Sequence, residues 1–221
     1  MIHIPVQVKA PVRVRGLAVP NHPYSPVLFA DEFTGANGSA LDSRRWDVAL
    51  GAAIIERRNN HGYFEGTAGA DGVARALGKI NSKREELFFL VENDVAPAAM
   101  TVQMRWTAGG GSGNFYLLEL TGGGASPFFY KFIDGAGSFL DAVNVGEFAP
   151  GERRFCRWQV LNTDTSVINR VKMWDEFTTQ PTGWNMTHTD SDANRRQTGT
   201  LRLQIGGLAI YKIDRLRVSR A

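Results

Sequence analysis

From Val27 onward the chain alternates apolar and polar residues at a period of two, and the 3.6-residue period of a helix is nearly absent. Met100, Val102, Met104 and Trp106 interleave with Thr101, Gln103, Arg105 and Thr107; Leu201, Leu203 and Ile205 repeat the pattern against Arg202 and Gln204. Residues two apart on an extended chain share one side, so each run predicts a strand with one buried face. Phe115–Leu120 and Phe128–Ile133 are apolar on both sides, which predicts central strands covered on both faces. The turn-rich stretch between them, with Gly122, Gly123 and Gly124, joins them as a hairpin. Gly109, Gly110, Gly111 and Gly113 mark another tight connection, and the strand that follows excludes a phosphate-cradling loop, which needs a helix there. About a dozen strands separated by turn residues predict an all-β sandwich of two antiparallel sheets.

The first 26 residues read differently. Pro5, Pro11, Pro20, Pro23 and Pro26 are five of the nine prolines, and that density forbids a helix. Ile2, Ile4, Val6 and Val8 share one side of an extended ribbon, and Arg13 and Arg15 join Lys9 in making it basic. A ribbon cannot bury that side alone, so 1–26 reads as an N-terminal arm that adds a strand to a partner and 27–221 as the sandwich. Folding back onto its own domain is the competing reading.

Charge and cysteine content narrow the function. The net charge is +3, and three of the 25 Lys and Arg lie in the arm, so in the body the bases only equal the 22 acids. A neutral body without a nucleic-acid-binding signature offers no phosphate-binding field, so no nucleic-acid partner is expected. No apolar run reaches the roughly 18 residues of a membrane span and no secretion leader is expected. Cys156 is the single cysteine, which excludes an intrachain disulfide and fits assembly in a reducing cytoplasm. It alternates onto the side of Trp158 and Val160, as a buried thiol rather than a nucleophile.

Catalytic constellations are not evident. Asp31 with Glu32, Glu85 with Glu86 and Asp175 with Glu176 are adjacent pairs, which a strand directs to opposite sides. Glycoside hydrolysis requires two carboxylates converging in one cleft, as an E-x-D-x-E strand supplies, and the sequence has no such triplet. His3 and His22 lie in the arm, His61 and His188 in turn-like surroundings. No enzymatic turnover is expected.

The opening Leu28-Phe29-Ala30-Asp31-Glu32-Phe33-Thr34-Gly35, followed by Trp46, resembles the start of concanavalin A-like (laminin-G-like) jelly-roll domains. The closing half is similar in Arg170-Val171-Lys172-Met173-Trp174, Gln180-Pro181-Thr182-Gly183-Trp184, Gly199-Thr200-Leu201 and Tyr211-Lys212-Ile213-Asp214, ending at Val218. The opening loop and the basic arm are most similar to minor tail or other virion structural proteins of tailed bacteriophages. This resemblance implies a virion component, assembled in the host cytoplasm as a homo-oligomer, whose arm docks into other virion proteins while the sandwich faces outward and touches host-surface glycans. A free-standing lectin-like domain is the alternative, and a glycan-cleaving enzyme on the same fold a further one. The resemblance also implies a structural calcium at Asp31 and Asp214, where the first and last strands meet; otherwise no cofactor is expected. Trp184, Trp174 and Tyr130 are the aromatic rings expected to stack on sugars, with Tyr63 and Tyr116 as contributors. A chain lacking residues 1–26 is expected to keep the melting temperature of the full chain and to lose incorporation into the particle. Unchanged incorporation, measured on purified particles, refutes the arm as an anchor.

Overall fold

Alternation carries through into fifteen strands, and no helix occurs among the described residues. The computed structural model describes residues 27–50, 53–67, 71–77, 80, 82–95, 99–107, 113–121, 126–143, 145–146, 148–195 and 197–221. In chain order the strands are β1 (Val27–Asp31), β2 (Trp46–Leu50), β3 (Ile54–Arg58), β4 (His61–Glu65), β5 (Gly72–Ala76), β6 (Arg84–Val95), β7 (Ala99–Thr107) and β8 (Asn114–Thr121). They continue as β9 (Phe128–Ile133), β10 (Ala136–Ala142), β11 (Arg153–Asn162), β12 (Val167–Asp175), β13 (Met186–Asp190), β14 (Thr200–Ile205) and β15 (Ile210–Arg220).

All pairings are antiparallel and build two sheets. One has eight strands in the order β13-β12-β11-β6-β15-β4-β3, with β1 also on β15; the other has seven in the order β10-β9-β8-β7-β14-β5-β2. Their inner faces make one core, with Phe89, Trp158, Val160, Ile213 and Val218 from the first meeting Met100, Val102, Leu118, Phe129 and Leu203 from the second. Phe129 stands edge-on to Trp158 at 5.5 Å and ties the layers together. Full burial contributes about 1.5–3 kcal/mol per large apolar side chain, and this continuous layer drives the sandwich. Cys156 is buried beside Trp158 and Val160, and burial pushes its thiol far above the ordinary value, so it is inert as a nucleophile. Glu85 and Glu86 face opposite sides as their adjacency requires, Glu85 bonding Arg105 inside and Glu86 bonding Arg157 outside.

One strand breaks its alternation. β7 carries one extra residue between Met104 and Thr107 relative to β8, and again relative to β14 between Gln103 and Trp106. Arg105 takes a left-handed backbone with φ of 58° at this bulge. Its side chain turns inward and Trp106 turns outward, correcting the uniform alternation read from the sequence. Gly199 packs directly behind the bulge: a Cβ there would fall 2.2 Å from the Arg105 carbonyl carbon, so no larger residue fits.

The inward guanidinium is fully buried and must be neutralised. Its Nε donates to Glu85 Oε2 at 3.2 Å, Nη1 donates to Asn162 Oδ1, and Nη2 donates to the Val160 carbonyl at 3.4 Å. Glu85 also accepts the Ser82 amide at 3.1 Å. Burial pushes the Glu85 carboxyl up and the Arg105 guanidinium down, and each is opposed by the charge of the other. A second buried pair joins the sheets near one end. Lys131 Nζ donates to Asp190 Oδ1 at 3.0 Å, and Tyr116 donates to Asp190 Oδ2 at 2.6 Å. Removing one member of a buried pair strands the other, so Glu85→Gln is expected to cost about 3–5 kcal/mol in urea denaturation. The double change Glu85→Leu with Arg105→Met recovers part of that loss; a double variant less stable than Glu85→Gln refutes the account.

Candidate functional site

The two outer faces differ in character. Outside the eight-stranded sheet Arg157 pairs with Glu86, Arg153 with Glu92 and Glu176, Lys212 with Glu92 and Asp94, and Arg58 with Glu56, whereas Lys172 bonds backbone carbonyls. Outside the seven-stranded sheet the pairing register sets side chains in cross-strand rows. One row runs Phe139, Tyr130, Leu117, Gln103, Arg202, Arg75 and Asp47 from β10 to β2. The next runs Phe128, Glu119, Thr101 and Gln204 from β9 to β14. The first row is apolar from β10 to β8 and polar from β7 onward; the second begins at Phe128, is polar from Glu119 to Gln204 and ends in Val73 and Ala49.

The expectation of cover on both sides holds for β8, whose outward Phe115 and Leu117 are 4% and 6% exposed, and is corrected for β9, whose outward Phe128, Tyr130 and Phe132 are only partly buried. Among the described residues no further layer of strands lies over them, and the outward aromatic residues of β9 and β10 build a platform. Phe132 stacks on Phe115 at 4.8 Å, and Tyr130 packs edge-on to Phe139 at 5.6 Å and Phe128 at 6.4 Å. Phe139 remains 58% exposed. The Tyr130 hydroxyl has no hydrogen-bond partner among the described residues.

The polar half is a connected amide and guanidinium ladder. Gln103 Nε2 donates to Thr101 Oγ1 at 3.2 Å and to Gln204 Oε1 at 3.1 Å; Arg202 Nη1 donates to Gln103 Oε1 at 3.2 Å. Gln204 Nε2 donates to Asp71 Oδ2 at 2.8 Å, and Arg75 pairs with Asp47. Gln103 is only 2% exposed although it points outward, so this part of the face is recessed. Trp106, turned outward by the bulge, lies under two cations, with Arg75 5.2 Å and Arg202 5.6 Å from its ring centroid. Gly113 seats the indole, because a Cβ there would fall 2.7 Å from Trp106 Nε1. Burial and the neighbouring Arg75 both push the Arg202 guanidinium down from its ordinary value.

The structure separates the three expected sugar-stacking rings. Tyr130 stands in the platform, whereas Trp174 and Trp184 lie outside the eight-stranded sheet. Trp174 packs on Phe155 at 5.5 Å and Phe88 at 6.3 Å, and it lines a depression of about 310 Å3 with Arg154, Asp175, Pro181 and Asn185. Trp184 has Lys172 Nζ 4.5 Å and Arg157 5.8 Å from its ring centroid, so cations already occupy the space over it. Lys172 also donates to the Pro181 carbonyl at 2.8 Å, which folds this loop onto the sheet. Tyr116 is buried and Tyr63 lies under Arg58 at 3.7 Å, so neither joins the platform.

Asp31 and Asp214 do not converge either. Asp31 lies opposite the core residue Leu216, and its oxygens accept the Phe33 amide and the Trp46 indole N–H, each at 2.7 Å. Asp214 alternates to the outer side from the buried Ile213, and its carboxylate accepts the Arg215 amide at 2.7 Å at a second bulge, where Arg215 has φ of 53°. Among the described residues no group of three or more His, Cys, Asp or Glu is placed to hold a metal ion. Ile2, Ile4, Val6, Val8, Arg13 and Arg15 lie outside the described residues.

Comparison with solved structures settles the architecture. The carbohydrate-binding module CBM66 from Bacillus subtilis matches with a TM-score of 0.58 at 10% identity, over 80% of this chain and 97% of that one. The β-glucanase of Bacillus licheniformis matches with a TM-score of 0.60 at 11% identity, over 87% and 97%. Rv0315 of Mycobacterium tuberculosis, described as an immunostimulatory antigen and pseudo β-1,3-glucanase, matches with a TM-score of 0.55 at 16% identity, over 88% and 99%. The fold is a concanavalin A-like jelly roll. No family model and no curated protein matches the sequence. The resemblance read from the opening and closing strands holds at the level of fold, and these likenesses lend the phage-virion expectation no support.

Trp106, Arg202, Arg75 and Gln103 are the residues that sequence reading missed as a site. Uniform alternation hides Trp106 in the core, and nothing local in Gln103-Met104-Arg105-Trp106 marks the bulge. Glu119, on the face between platform and ladder, has its carboxyl pushed up from the ordinary 4.5 by burial. An acid raised in the fold favours the native state most where it is protonated, below the unfolded value, and loses that advantage as pH rises through the folded value. Glu119→Gln is therefore expected to melt higher than the parent at about pH 7 and to converge with it near about pH 4. Thermal melts across that range test this, and a difference that does not change with pH refutes it.

Proposed function

We propose that the outer face of the seven-stranded sheet binds carbohydrate. The observation that carries this reading is the side-by-side placement of an aromatic platform (Tyr130, Phe128 and Phe139) and a recessed polar ladder (Gln103, Thr101, Gln204 and Arg202) on one open face. Sugar rings offer apolar C–H faces and equatorial hydroxyls, and such a face meets both, by stacking on one half and hydrogen bonding on the other. The likeness to a carbohydrate-binding module and to glucanases supports the reading without specifying a sugar.

Binding suits the face better than cleavage does. Glu119 is raised by burial, as a general acid requires, so cleavage is the reading to test beside it. A second carboxylate must lie roughly 5–9.5 Å away. Glu119's row runs on through Thr101, Gln204, Val73 and Ala49 without a second acid; Asp71, just before β5, accepts from Gln204 and lies three strands away, which at the usual strand spacing is about 14 Å. The outward row of β8 places Phe115 and Leu117 beside Glu119, where a hydrolytic strand carries further acids. Docking of residues 1–26 into a phage-type particle is a separate proposal that rests on the sequence of the arm and its resemblance to virion proteins.

Titration calorimetry against a panel of soluble glucans and fructans tests the binding reading. Tyr130→Ala and Phe139→Ala are each expected to weaken the best ligand about tenfold, equivalent to about 1.4 kcal/mol, with melting temperature unchanged. Trp184→Ala leaves affinity as it is. Binding that survives both platform changes and fails in Trp184→Ala moves the site to the other sheet, and release of reducing ends from the panel replaces binding with cleavage.

A further inference from the structure

We infer that Arg202, held against Trp106 beside Arg75, receives the carboxylate of an acidic sugar, so that the ligand class of this face is uronate-bearing rather than neutral glycan. This inference rests on the carbohydrate-binding reading and specifies its substrate class.

The argument is one of charges left over. Among the described residues five ionisable side chains face this part of the sheet: Asp47, Asp71, Arg75, Arg202 and Glu119. Arg75 and Asp47 pair with each other, and Asp71 accepts from Gln204. Glu119 stands on β8, two strands away from Arg202 on β14. Arg202 donates to the neutral side-chain oxygen of Gln103 and has no carboxylate within ion-pair distance among the described residues. Outside the other sheet, Arg58, Arg153, Arg157 and Lys212 have such a partner, and Lys172, which has none, is held by two backbone carbonyls and the Trp184 ring. Asp71 attracts Arg202 only from beyond ion-pair distance, and a half-buried cation without a direct ion-pair partner gains when an anion reaches it.

Geometry adds specificity to charge. Gln103 and the Trp106 ring hold the guanidinium from two sides, so little side-chain freedom remains to be lost on binding. A guanidinium fixed this way presents its remaining N–H groups as a planar fork, which matches the two oxygens of a carboxylate. An oligosaccharide laid along the row from Tyr130 across Leu117 and Gln103 crosses three strands, about 14 Å, and brings an acid substituent of a later ring to Arg202, the next residue in that row.

The test compares a uronic-acid tetrasaccharide with its carboxyl-reduced neutral counterpart on the full chain by titration calorimetry. The parent is expected to bind the acidic form at least tenfold tighter at low salt, and the preference shrinks severalfold as potassium chloride rises into the range where exposed charges are screened. Arg202→Gln is expected to bring the two affinities within about twofold while keeping the neutral one, and Arg202→Lys to retain an intermediate preference because it keeps the charge without the fork. Equal parental affinities, or a preference that survives in folded Arg202→Gln, overturn the inference and leave the carbohydrate-binding face standing. The parental salt dependence needs no variant, so a misfolded Arg202→Gln does not remove the test. If neither tetrasaccharide nor any neutral glycan of the wider panel binds, the carbohydrate reading itself fails.

Discussion

The extra residue in β7 is the constraint on which both the core and the candidate site depend. A left-handed backbone at a non-glycine residue costs roughly 1–2 kcal/mol, and Arg105 holds one because its surroundings leave no alternative. Behind it Gly199 leaves no room for retreat, and ahead of it Glu85, Asn162 and the Val160 carbonyl take up the guanidinium. The same half-turn of the chain delivers Trp106 to the outer face. An ion pair between the sheets and an aromatic ring under two arginines are thus two consequences of one inserted residue, and removing it would return Arg105 to solvent and bury Trp106.

That coupling also decides what was legible in the sequence. Thr200–Ile205 is legible because a period of two with one buried side leaves a single register that hides the apolar set, and the pairing of β8 with β9 because turn residues separate two adjacent apolar runs. The opening and closing strands were readable because Asp31 and Trp46 form a local hydrogen-bonded unit and β1 closes on β15. The site was mostly not. Trp106 was assigned to the wrong face because a bulge is a tertiary event, set by Gly199 from a distant segment. Trp174 and Trp184 are expected to stack on sugars, but a strand or turn sequence does not say on which of two sheets a ring stands, and in the fold they lie on the sheet opposite Tyr130.

The two buried ion pairs act as spacers between the layers as well as charges. Arg105 with Glu85 joins β7 to β6, and Lys131 with Asp190 joins β9 to β13, so each links one sheet to the other. For Asp190 burial pushes the carboxyl up, but the Tyr116 and Lys131 hydrogen bonds outweigh it and hold the carboxyl below its ordinary value. A depressed acid stabilises the fold above its unfolded value and ceases to do so as pH falls through the folded one, so this link weakens only in strong acid. Above that range the Lys131–Asp190 tie is charged, and with the Arg105–Glu85 link it holds the seven-stranded sheet at fixed spacing beneath its outer face.

A fixed sheet matters for a face that works by stacking. Aromatic rings on strands lose less freedom on binding than rings on loops, and Tyr130, Phe128 and Phe139 are all strand residues. The outer face of the eight-stranded sheet is as rigid and also carries aromatic rings, yet Lys172 and Arg157 already lie over Trp184, and Arg157 and Lys212 are matched by Glu86, Glu92 and Asp94. Exposed pairs of that kind add little stability, about 0–1 kcal/mol each. That face offers no bare platform, and Lys172, its cation without a carboxylate, is already engaged by the Pro181 carbonyl and the Trp184 ring, whereas the seven-stranded face keeps an open ring in Phe139 and, in Arg202, a cation without an ion-pair partner. Rigidity is common to both faces, and the unmet interactions are what single out one of them for a ligand.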